Sequence, residues 1–151
     1  MENSPMRQQI ASMRQSLFDE EILDNHYLQL EQLEDRDNPN FAEEVMTLYC
    51  RDSTKIIASL HQILEKPGPM DVNKLDKFLH QLKGSSASVG ANKIRNEVNL
   101  MREYVKEENI EKTKSAFQEL QIQHDILRAK IEPYFQLLRQ VGPIETAQRP
   151  K

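Results

Sequence analysis

Four histidines and one cysteine are the side chains of this sequence best suited to metal binding or nucleophilic chemistry: His26, His61, His80, His124 and Cys50. No two of the histidines stand four residues apart and no histidine lies near Cys50 in sequence, so the ligand spacing of a structural metal site is missing. Cys50 has no neighbour that would activate it as a thiolate. His80 differs in its surroundings, HQLKGSSASVG. On a helix, positions 80, 83, 84 and 87 share one face, which places His80 above Lys83, Gly84 and Ala87. Leu75, Phe78, Leu79 and Leu82 then cover the opposite, core-facing side.

An imidazole on such a face suits phosphoryl transfer, which is mostly a matter of positioning and charge stabilisation. The transferred group needs a nearby cation for its oxygens, and Lys83 stands one turn away. Mid-helix, the backbone offers no free N–H groups to an anion, so the lysine matters more. A glycine inside a helix costs roughly 1 kcal/mol relative to alanine. Gly84 therefore calls for a reason, and one is that it clears the space through which a partner's loop reaches the imidazole. Ala87 extends the clearance. The plain alternative is an ordinary exposed histidine, a solvated lysine and a tolerated glycine; each is favoured singly, and the combination argues against it.

The elements that carry this face read as helical throughout. Apolar residues recur at helical spacing, and no stretch alternates with the period of a strand. A first helix is predicted over Pro5 to Leu17, on Met6, Ile10, Met13 and Leu17, with Ser4 as cap. A second is predicted from about Glu20 to Glu34, on Leu23, Tyr27, Leu30 and Leu33. A third begins at Asn38-Pro39-Asn40 and ends at Pro67-Gly68-Pro69. The fourth starts from an Asp71 cap and stops at Gly90 in a left-handed conformation. The fifth follows from Ala91 on Ile94, Val98, Met101 and Val105, and Asn109 caps a sixth that reaches about Gln140. Pro133 is expected to bend or break that last helix. The fold class that follows is all-α: an antiparallel four-helix bundle over about 38–140, two short N-terminal helices over about 5–34 lying across one end, and a flexible tail over 142–151.

Composition fits this. At 151 residues, with 38% hydrophobic and 29% charged residues, the chain suits a single domain with its own core. The net charge of −4, with both signs interspersed, argues against nucleic acid as partner. One cysteine excludes an internal disulfide, and no apolar run reaches membrane-spanning length. An intracellular protein is expected.

The segment HQLKGSSASVGA resembles the phosphoacceptor motif of plant-type histidine-containing phosphotransfer proteins, and NPNFAEEVMTLY, RDSTKII, NEVNLMREY and EENIEK extend the resemblance over most of the chain. It implies that His80 is phosphorylated on its outward ring nitrogen, that Lys83 and Gly84 shape its surroundings, and that Gln81 borders the phosphate. Relatives usually carry cysteines near the positions of Val98 and Val105 and a Phe near Met101, which suggests core roles for all three here. Asn99 replaces a more apolar residue and is expected to face solvent.

What the resemblance implies for function is a monomeric phosphocarrier without catalytic activity of its own, located in cytoplasm and nucleus. It would accept phosphate from the receiver domain of a hybrid sensor kinase and pass it to a response regulator in cytokinin-type signalling. No cofactor is expected in this chain, because the divalent metal and the acidic cluster would belong to the receiver. The alternative is a helical adaptor that docks receivers without carrying phosphate; an autonomous enzyme finds no acid/base cluster or cofactor motif. Docking is expected to use Leu23 and Tyr27 of the second helix together with Ala87 and Ser88 beside His80. For Leu23 and Tyr27 a place in the core is the competing expectation.

Overall fold

The computed structural model describes residues 5–146, which form six helices: α1 (Pro5–Asp19), α2 (Asn25–Gln32), α3 (Phe41–Glu65), α4 (Val72–Val89), α5 (Asn92–Lys106) and α6 (Ile110–Thr146). Helices α3 to α6 pack as α3 on α4, α4 on α5, α5 on α6 and α6 back on α3. The turns between consecutive members are short, so neighbours run antiparallel and the four close into a bundle. The core fills the space between them with Met46, Leu60, Leu75, Leu79, Leu82, Val98, Met101, Val105, Leu120 and Leu127, all fully or almost fully buried.

Helix boundaries follow local chemistry. Asp71 caps α4 by accepting from the Lys74 N–H at 3.1 Å, and Asn109 caps α6 by accepting from Lys112 N–H at 3.0 Å. Gly90 ends α4 with φ 79°, in the left-handed region as expected. The start of α3 differs from expectation. Neither asparagine caps it through its side chain. The Glu34 carboxylate instead accepts from the Ala42 N–H at 3.0 Å, reaching back from the α2–α3 connection.

The N-terminal region departs most from the predicted boundaries. Helix α1 continues to Asp19 and α2 begins only at Asn25. The segment between them is spent on a tertiary contact. Asp24 N–H donates to Gly90 O at 3.0 Å, and Asn92 N–H donates to Ile22 O at 3.2 Å. This short antiparallel bridge, Leu23 to Ala91, ties the N-terminal region to the α4–α5 turn. Helix α1 packs on α6, and α2 packs on α3 and α4. Arg14 joins the two, at 3.1 Å and 2.9 Å from Glu31, whose second carboxylate oxygen accepts from the Tyr134 hydroxyl at 3.1 Å.

The last helix corrects one part of the expectation for Pro133, the break, and the expected end near Gln140. It does not break at Pro133 but runs on to Thr146, six residues past the expected end and into the segment assigned to a tail. Pro133 removes the hydrogen bond to the Ala129 carbonyl, but both residues are exposed, so water can take the free acceptor. Residues 147–151, and the Ser4 cap, lie outside the described residues.

Candidate functional site

Helix α4 presents two faces. Leu75, Leu79, Leu82, Ser86 and Val89 are buried and Phe78 is half-buried, while His80, Gln81, Lys83 and Gly84 are exposed. His80 thus sits mid-helix on the solvent side, held from behind by the leucines on either side of it in sequence. Its ring, the Gln81 amide and the Lys83 ammonium have no hydrogen-bond or ion-pair partner among the described residues. These groups are free to meet an incoming group, and Lys83 lies one turn from the ring as the spacing requires.

Gly84 is decisive for how this face is understood. A Cβ built there meets nothing within 4 Å, and its φ is not in the left-handed region. Neither close packing nor backbone conformation of the isolated fold therefore demands a glycine. The position is open to whatever approaches α4 from the solvent side.

The serine run behind the motif is used structurally. Ser85 and Ser88 hydroxyls donate back to Leu82 O at 3.2 Å and Ser85 O at 3.0 Å. Ser86 is buried and shares a 2.7 Å hydrogen bond with the Tyr49 hydroxyl of α3. Burial pushes the Tyr49 phenol well above its ordinary pKa, with the Ser86 bond opposing that only in part. The pair ties α4 to α3 on the buried side of the helix.

The family of helical domains that matches this chain is the Hpt domain, over residues 44–130. The chain belongs to the histidine-containing phosphotransfer family. It is 46% identical over 150 residues to the rice pseudo histidine-containing phosphotransfer protein 5, covering 99% of this chain and 98% of that one. It is 46% identical over 114 residues to the Arabidopsis histidine-containing phosphotransfer protein 4, covering 76% and 89%. The crystal structure of a histidine-containing phosphotransfer protein from maize superimposes with a TM-score of 0.86 at 34% identity, covering 91% of this chain and 99% of that one. Histidine-containing phosphotransfer proteins are phosphocarriers of the phosphorelay, and the bundle of this chain is theirs.

Within this Hpt domain the expected docking residues separate. Ala87 is half-buried and Ser88 exposed, both on α4 beyond the motif. Leu23 and Tyr27 are only 2% and 0% exposed and cannot present a docking surface. They are core residues: the bridge to Ala91 turns Leu23 inward, and Tyr27 lies under Gly90, its ring 6.2 Å from that of Phe18. Val98, Met101 and Val105 are buried, as the substitution pattern suggested, and Asn99 is half-buried rather than fully solvent-facing.

Sequence reasoning missed the buried polar contacts. Tyr49–Ser86 is one. Another is His124, 3% exposed, whose ring Nε2 lies 2.8 Å from Ser53 Oγ across the α3–α6 seam. Ser53 also lies 3.2 Å from the Cys50 carbonyl, which its hydroxyl can reach as donor while accepting from the ring. Their partners are 37 and 71 residues away, beyond any local pattern. Among the described residues no cluster of His, Cys, Asp and Glu is placed to hold a metal, and no helix is long and apolar enough to cross a membrane.

Proposed function

We propose that this chain is a phosphocarrier that takes a phosphoryl group on His80 from the receiver domain of a hybrid sensor kinase and gives it to that of a response regulator. In the forward step the lone pair of the outward ring nitrogen forms the N–P bond. The P–O bond to the receiver's aspartate breaks, and the carboxylate keeps the electron pair. Lys83 steadies the charge on the phosphoryl oxygens, Gln81 borders them, and Gly84 with Ala87 and Ser88 admits the receiver's loops. The divalent metal and the acidic residues that bind it come from the receiver, so this chain needs no cofactor and has no catalytic activity by itself. It works as a monomer in cytoplasm and nucleus, in cytokinin-type signalling, a reading supported by the motif's likeness to the plant type.

The single observation that carries this is an exposed, unpartnered His80 beside a glycine that the fold itself does not require. The adaptor reading draws support from the word "pseudo" in the names of three rice relatives. Against it, this chain has the histidine and the open face. Incubation with a phosphorylated receiver domain tests both: acid-labile label should map to His80, and His80→Gln should take none while keeping its helix content, since an exposed polar side chain contributes little to folding. Label on the variant, or binding without label on the wild type, would overturn the phosphocarrier.

A further inference from the structure

The face around His80 carries a second cation. Lys77 stands three residues before His80 as Lys83 stands three after. At 100° per residue the two stems leave α4 on opposite flanks of the imidazole, each about one turn away along the axis. Both lysines are exposed, and neither has a hydrogen-bond or ion-pair partner among the described residues. Several other cations of the domain are held in ion pairs, Arg14 with Glu31, Arg95 with Asp24, Lys130 with Glu20 and Arg139 with Glu43.

The one acidic residue within α4 is Asp76, four positions before His80 and so on the same side of the helix. Left free it would repel a phosphoryl group. Arg102 of α5 holds it, with Nε 3.1 Å from the carboxylate. What remains facing outward at the imidazole is two uncompensated ammonium groups.

We propose that Lys77 and Lys83 form a two-sided clamp for the phosphoryl group on His80, with Arg102 neutralising Asp76 beneath it. This rests on the phosphocarrier reading and adds a binding residue to it. The transferred group arrives with about two negative charges, and Lys83 alone contacts it from one flank. Lys77 supplies the other flank, so oxygens on both sides of phosphorus face a cation as the N–P bond forms and the bond to the donor, P–O in the receiver and P–N in phosphoramidate, breaks. An ammonium about 6 to 7 Å from a doubly negative group in water is worth roughly a tenfold factor at low salt and roughly threefold at physiological ionic strength.

The test uses the whole chain and two phosphodonors: phosphoramidate, which has no docking surface, and a phosphorylated receiver domain. Label on His80 is quantified by peptide mapping, with His80→Gln as background. Lys77→Gln should lower the initial rate from both donors by roughly three- to tenfold at low salt, with a smaller deficit when salt is raised. Lys77→Arg should stay near wild type, and Lys77→Gln combined with Lys83→Gln should be slower than either alone. Circular dichroism of each variant should match wild type. Unchanged rates for Lys77→Gln with both donors would overturn the clamp, and so would a deficit seen only with the receiver, which would make Lys77 a docking residue. A wild type that accepts no label from the receiver would instead overturn the phosphocarrier reading itself.

Discussion

Two glycines six residues apart, one within α4 and one capping it, live under opposite constraints. At Gly84 a Cβ would stand in open space, whereas at Gly90 it would lie 2.6 Å from Tyr27 N and 2.8 Å from Asp24 Oδ1, on a backbone with φ 79°. The first region of the helix is turned outward and left unfinished; the second is closed over by the N-terminal segment. The same residue type is thus required by the fold at Gly90 and not at Gly84, and sequence alone does not separate them. The difference also divides the molecule's chemistry. His80, Gln81 and Lys83 lack internal partners among the described residues, while Ser86 with Tyr49 and His124 with Ser53 are hydrogen-bonded in the seams.

The sharpest way to break this comparison is Gly90→Ala. The left-handed conformation and the backbone clash should together cost about 2 to 4 kcal/mol, because Tyr27 N belongs to the chain and cannot swing away as a flexible side chain would. Urea unfolding measures it. A loss below about 1 kcal/mol would show that the N-terminal segment yields, and that the bridge at Leu23–Ala91 is looser than its hydrogen bonds indicate.

Next in size is Gly84. Gly84→Gln should leave a folded bundle whose receiver-dependent phosphorylation falls about a hundredfold, since displacing the reacting groups by roughly an ångström has that effect. Gly84→Ala, measured alongside, should raise stability by up to about 1 kcal/mol through helix propensity. Lost stability with normal transfer would reverse the assignment of the two glycines.

The smallest effect is expected at His124, the buried counterpart of His80. Burial first, and then the nearby Arg128 charge, holds its pKa below the ordinary 6.5, with Asp125 pulling the other way. The unfolded chain therefore binds a proton that the native chain resists. The stability that His124 contributes is complete above about pH 6.5 and declines as pH falls toward the depressed native value, by no more than about 1.4 kcal/mol per pH unit. Denaturation at a series of pH values should show a shallower fall over that window for His124→Gln than for wild type. Parallel curves would mean that protonation is accommodated within the seam.

Much of the candidate site was legible. The sequence HQLKGSSASVG on a 3.6-residue period is enough to turn His80, Lys83 and Gly84 outward and Leu75, Leu79 and Leu82 inward, and the structure has them so. Asp71, Gly90 and Asn109 mark helix ends through interactions within one turn, which is why they could be seen locally. Leu23 and Tyr27 could not be placed, because an apolar stripe on a short helix looks the same whether it meets a partner protein or its own core.

The amino-acid sequence by itself determined which stretches become helices, where most of them stop, and which face of α4 offers an imidazole with cations beside it, because all of these depend on neighbours within about four residues. Only the tertiary structure decided that Leu23 bridges to Ala91, that Glu34 caps α3, that α6 continues through Pro133, and that His124 meets Ser53. Each of these joins groups separated along the chain or exposes a local defect to solvent. Their energies become favourable only once the bundle has brought the partners together.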